Sequence, residues 1–163
     1  MTGVRALLST FVLASLLAGC GKSPEDRLAE AQKALDGGDP AAAITAVDQA
    51  LADAAISGDK ALAWRFESLR LDAQARAGKG ADVAAGLARL SQTYAAQVTA
   101  ALYRSLADKT RAAGDNSGAI DILAAGDKAF PAEHDSFQKA IDELKNTGLD
   151  PAEVEKLKAL GYL

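Results

Sequence analysis

Two residue types that do most nucleophilic, redox and metal chemistry occur once each in these 163 residues: Cys20 and His134. A single thiol rules out a disulfide within the chain and any zinc site built from several cysteines. His134 lies between Glu133 and Asp135. General-base or metal work would need partners converging on it from elsewhere. On local sequence alone it reads as a solvated imidazole near a helix start. No Gly-x-Ser-x-Gly elbow is present. Gly78-Lys79-Gly80 lacks the preceding strand and the spacing of a phosphate loop. The 22 carboxylates read as solvated helix faces. The expectation is no enzyme, no cofactor, no metal and no small-molecule substrate.

More informative are charged residues at helical spacing. Arg65, Leu69, Asp72 and Arg76 fall at i, i+4, i+7 and i+11, one face of a helix. Arg104, Asp108 and Arg111 repeat the first two intervals, at i, i+4 and i+7. One reading is intrahelical Arg–Asp pairs on a wet surface, each worth a few tenths of a kcal/mol. The other is a groove that grips a partner, since a guanidinium fork binds a carboxylate bidentately. Trp64, Phe66 and Tyr103 read as core, because large aromatics fill space left by small neighbours.

The elements that must position these residues are helices. Hydrophobic residues make up 49% of the chain and charged residues 25%, a globular balance. The formal charge of -4 argues against a nucleic-acid partner. Ala and Leu dominate and favour helix. Val, Ile and Thr supply only 14 of the 144 residues from Cys20 onward, so little β-forming material exists. All four prolines sit where a helix can begin. The pattern predicts an all-α domain over 24–163, with helices near 24–36, 40–56, 59–77, 81–93, 95–113, 116–129, 131–146 and 151–160. Gly37-Gly38, Gly78-Lys79-Gly80, Gly114 and Gly148 read as helix stops.

The beginning of the chain is different in kind. Met1–Arg5 carries one positive charge, and Ala6–Ala18 is 13 uncharged residues. That stretch is too short for a helix to span about 30 Å of hydrocarbon and has the length of a signal-peptide core. Leu17-Ala18-Gly19-Cys20 follows it. This tetrapeptide resembles the bacterial lipobox at every position. The resemblance implies cleavage after residue 19, a covalent lipid on Cys20 and a short tether over 20–23. Gly21 stands where an Asp would favour retention in the inner membrane. The resemblance therefore implies the periplasmic face of the outer membrane. At most about 3.5 Å per residue, the tether reaches roughly 10–14 Å.

A second resemblance lies in the helices. Gly38-Asp39-Pro40-Ala41-Ala42-Ala43-Ile44 precedes Ala50, and Gly114-Asp115-Asn116-Ser117-Gly118-Ala119-Ile120 precedes Gly126. Gly-Asp, three residues, Ala-Ile and a later small residue resemble the tetratricopeptide repeat. Unit one covers about 24–57, with Ala31, Ala43, Val47 and Ala50 on family positions. Unit three covers about 100–133, with Tyr103, Ala107, Ala119, Leu123, Gly126 and Pro131. The middle unit is degenerate, and its second helix has no fixed register over Val83–Leu90. From Ala43 to Ala119 is 76 residues, two units of 38 where the family has 34. The extra turn is placed mostly in the first helix of the middle unit.

The resemblance implies a right-handed α-solenoid of about three helical hairpins with the last two helices as a cap. It also implies that Arg65, Leu69, Asp72, Arg76, Arg104, Asp108 and Arg111 line a concave partner groove. Asp150–Leu163 reads as a capped amphipathic helix that docks through Val154, Leu157 and Leu160 with Tyr162 or Leu163. The alternative for it is a partner-binding tail. Together these features point to a periplasmic interaction scaffold with a protein or peptide partner and a membrane contact through its lipid. A structural subunit of an envelope assembly, or a regulator of a cell-wall enzyme, are the competing readings. Cys20→Ala is expected to leave an unlipidated species that is uncleaved or soluble. Intact mass and detergent partitioning check this, and unchanged values would remove the anchor.

Overall fold

The computed structural model describes residues 22–163, so Cys20 and the segment before it lie outside the described residues. Those described are all-helical. In chain order the helices are α1 (Pro24–Asp36), α2 (Pro40–Leu51), α3 (Ala54–Ser57), α4 (Lys60–Arg76), α5 (Gly80–Thr93), α6 (Ala100–Ala112), α7 (Asn116–Ala129), α8 (His134–Lys145) and α9 (Pro151–Ala159). A 3-10 turn, Pro131–Glu133, leads into α8.

Most helices start at a side-chain cap. Ser23, Asp39, Asp53, Asp59, Thr99, Asp115 and Asp150 each accept a hydrogen bond from a first-turn N–H. The expected helix 40–56 breaks at Leu51, because Asp53 caps the short α3 and pairs with Arg27 at 3.2 Å. The expected helix 95–113 begins only at Ala100, where the Thr99 hydroxyl caps it.

The Gly-Asp turns have a double function. Gly38 and Gly114 take φ of 81° and 90°, the left-handed conformation that ends a helix. The next residue closes the turn by donating its N–H backward, Asp39 to the Ala34 carbonyl and Asp115 to the Thr110 carbonyl. The same two aspartates cap the following helix, so two residues suffice to reverse the chain. The middle turn has Lys79 in the Asp position, and its side chain makes no cap bond. The missing acceptor comes from the next turn. Asp115 Oδ1 accepts from Gly118 N at 2.7 Å, and its Oδ2 accepts from Gly80 N, the first N–H of α5, at 2.9 Å.

That reach requires close backbones. A Cβ on Gly80 would lie 2.3 Å from the Gly118 Cα, so α5 and α7 meet backbone to backbone. The antiparallel pairs α1/α2, α4/α5 and α6/α7 are further joined by contacts of α2 and α1 with α4, α4 with α6, and α5 with α7. The alanines expected to let helices close, Ala31, Ala43, Ala50, Ala107 and Ala119, are all buried. A Cβ on Gly126 would sit 2.5 Å from the Phe137 ring, so α8 packs into the gap that glycine leaves. Helix α4 has 17 residues against 13 in both α1 and α6, about one extra turn.

Two apolar clusters form the core. One joins α1–α4 around Phe66, Leu35 and Ile56. The other joins α4–α9 around Leu71, Leu87, Ile120 and Phe137. Helix α4 contributes to both, so it is buried on two sides. Its Glu67 is 8% exposed; the carboxylate accepts from Arg89 at 2.9 Å and forms an ion pair with Arg70 at 2.9 Å. Arg70 also reaches Asp48 of α2 at 3.2 Å.

Asp115→Ala removes one cap and orphans the Gly80 N–H, so a loss of about 2–3 kcal/mol is expected. Asp39→Ala, which removes a cap alone, should cost about 1 kcal/mol. Adding Lys79→Asp to Asp115→Ala lets α5 cap itself and should recover roughly 1 kcal/mol. Urea midpoints of the four chains check the cycle.

Candidate functional site

Side chains predicted to share one groove are not brought together on one surface. Arg65 is exposed on α4 and faces Glu25 of α1 at 3.9 Å. Asp72 accepts two bonds from Arg76, at 3.2 and 3.1 Å, and forms an ion pair with Lys109 of α6 at 2.7 Å. Arg104 points toward α8, with Glu133 at 3.4 Å and the Phe137 ring 5.4 Å beneath its guanidinium. Asp108 meets Arg111 at 3.7 Å. Leu69 does not face solvent. It is 6% exposed in the first apolar cluster, because α4 is covered on the side where that residue falls.

These contacts form a ladder. Glu25–Arg65 joins α1 to α4, Asp72–Lys109 joins α4 to α6, and Arg104–Glu133 joins α6 to the turn before α8. The first two rungs link the first helix of one hairpin to the next first helix, and the third links α6 to the turn before α8. Every rung is partly or wholly solvated, so each contributes about 0–1 kcal/mol. Such pairs can exchange with a ligand's charges at small cost. Spacing identified the arginines and Asp72; Lys109 and Glu25 were missed, because their partners are 37 and 40 positions away.

A second constellation was also invisible in the sequence. Asp127, near the end of α7, has a side chain only 12% exposed. Its Oδ1 lies 2.8 Å from His134 Nδ1, and its Oδ2 accepts from the Tyr162 hydroxyl at 2.7 Å. A carboxylate can only accept, so the imidazole donates from Nδ1. His134 and Tyr162 border a cleft of about 350 Å³ whose other walls include Ala124, Pro131 and Leu160. His134 is thus oriented, and not merely solvated at a helix start.

The C-terminal segment supplies one wall of this cleft. Helix α9 docks through buried Leu157, and Lys156 donates to Ser117 and Asp121 of α7. Gly161 turns the chain at φ 84°, and the Tyr162 carbonyl accepts from Lys145 at 2.7 Å. Lys145 also holds the Asp142 carboxyl below the usual carboxylate range. Only part of the expected apolar face is used. Leu160 and Leu163 remain 45% and 59% exposed.

The chain matches no protein-family model, no curated protein and no solved structure. What can be said of function therefore rests on the ladder and the cleft. Within the described residues no group of three His, Cys, Asp or Glu is placed to hold a metal ion. Likewise no helix there is long and apolar enough to cross a membrane.

Burial, then the hydrogen bond to Asp127 and its negative charge, push the Tyr162 phenol above its ordinary value of 10.0. The unfolded phenol loses its proton near pH 10 while the folded one keeps it. The contribution is therefore complete below that pH and is lost as pH rises past it. Burial raises Tyr103 as well, so the effect is shared. Tyr162→Phe is expected to flatten part of the fall in stability above about pH 10, read from urea midpoints across the alkaline range.

Proposed function

We propose that this chain is a non-enzymatic, membrane-anchored adaptor of the bacterial cell envelope. In this reading Cys20 carries a lipid at the periplasmic face of the outer membrane. The helices form a right-handed solenoid of three tetratricopeptide-type hairpins with α8 and α9 as its cap. A protein or peptide partner lies along the first helices α1, α4 and α6.

The observation that carries the reading is the ion-pair ladder across successive first helices. A partner segment running over it meets alternating charge and can replace solvated rungs one at a time. Support for the anchor comes from Leu17-Ala18-Gly19-Cys20 and from the short distance to α1. Charge distribution adds to this. Residues 22–59 hold three basic and eight acidic side chains, whereas residues 60–163 hold fourteen of each. All the net charge of the mature chain thus sits in the part beside the tether. The tether's reach is close to the screening length of about 8 Å at physiological salt. An anionic leaflet would repel that hairpin and hold the domain upright, leaving the ladder open.

Arg65→Glu combined with Arg104→Glu reverses two rungs at opposite ends. The helical circular dichroism should be unchanged, because each rung contributes little to stability. Crosslinked pull-downs from envelopes should lose the partners recovered with wild type. Equal recovery by the two folded proteins would remove the first-helix surface from the proposal. Recovery of one large, stable complex by both would favour a structural subunit.

A further inference from the structure

The cleft at the C-terminal end has no part in the adaptor surface just described. It is built from the end of α7, the Pro131 turn, the start of α8 and the segment after α9. Three observations converge there. Its walls are apolar where Ala124, Pro131, Leu160 and the Tyr162 ring meet. The two large hydrophobic side chains exposed among the described residues, Leu160 and Leu163, belong to the same segment. At the mouth stands Lys128, which makes no ion pair among the described residues.

The cleft lining holds one carboxylate, Asp127, and one ammonium, Lys128. Asp127 is the acidic group of the cleft, but both its oxygens already accept, one from His134 and one from Tyr162. The cation of the cleft lining that makes no ion pair among the described residues is the exposed Lys128 ammonium. A cleft of about 350 Å³ is at the small end of ligand pockets. It has room for one residue, not for a helix. The occupant must offer an aliphatic body and an anionic group within that single residue. A chain-terminal Leu, Ile or Val does so, whereas an internal Asp or Glu has the charge without the apolar side chain.

We infer that this cleft receives the C-terminal aliphatic residue of a partner chain. The side chain packs among Pro131, Leu160 and Tyr162. The terminal carboxylate pairs with Lys128. The inference stands on the residues of the cleft and depends on neither the lipid anchor nor the ladder.

The test uses the full chain, purified in a non-ionic detergent and followed by amide NMR. N-acetyl-leucine is the probe. N-acetyl-leucinamide lacks the carboxylate, and N-acetylglycine lacks the apolar side chain. Saturable shifts are expected at Ala124, Lys128, Leu160 and Tyr162 with N-acetyl-leucine at millimolar concentration. The other two compounds should bind roughly tenfold more weakly, each missing one half of the recognition. Lys128→Met should weaken N-acetyl-leucine to a similar degree and leave the amide probe unaffected. Lys128 is exposed, so its replacement does not disturb packing. The inference is overturned if no saturable shift appears up to tens of millimolar, or if the amide binds as well as the acid. Shifts confined to α1, α4 and α6 would also overturn it, while leaving the adaptor reading intact.

Discussion

One carboxylate starts two helices. Asp115 satisfies the Gly118 N–H of its own helix and the Gly80 N–H of the neighbouring one. The first bond is an ordinary cap. The second exists because Lys79 stands where the other hairpin turns have Asp, which leaves α5 without an acceptor of its own. For Asp115 to reach Gly80, the two helix starts must touch, and only glycine at both 80 and 118 permits it. A local defect in capping is therefore repaired by a tertiary contact. The repair fixes how the second and third hairpins sit together. It also fixes the start of α7, where Ser117 and Asp121 receive Lys156 and so locate α9.

The second constraint is the double burial of α4. Its inward residues face two different clusters, so no single apolar stripe runs along it. A helix covered on two sides has little room for charge. Glu67 is inside, where an unpaired carboxylate would cost several kcal/mol. Arg70 and Arg89 meet it there, and Arg70 extends the connection to Asp48. What remains to solvent is the strip holding Arg65, Asp72 and Arg76. The ladder is thus the polar residue of a helix otherwise spent on packing, and its place on the first helices follows from that.

Much of this architecture was legible in the residues, and the illegible parts have a common cause. Gly38-Asp39 and Gly114-Asp115 could be read because both roles of Asp are local. The alanines at 31, 43, 50, 107 and 119 could be read because helix closure demands small side chains at fixed spacing. The break after Leu51 was missed because Asp53 was read as part of a helix rather than as the start of one. Leu69 was placed beside Arg65 by its i+4 spacing, which assigns a face but not what covers it. Asp127, His134 and Tyr162 escaped notice for a related reason. Their meeting depends on where a segment 35 residues downstream lands, and no periodicity encodes that.

The landing of that segment also accounts for its unsatisfied half. After α9, Gly161 in the left-handed conformation lets the Tyr162 N–H bond back to the Leu157 carbonyl. That closure sends Tyr162 inward to Asp127. It leaves Leu160, just before the glycine, and Leu163, just after the tyrosine, facing water. One turn of the backbone cannot direct all three side chains to the same surface. Docking Tyr162 keeps the phenol bond and the ring's burial, and it costs the exposure of two leucines. A segment whose only task was to cover α7 would gain by polar residues at 160 and 163, since exposed apolar surface favours association. Leucines at 160 and 163 instead leave an apolar rim beside the cleft that Lys128 and Tyr162 line.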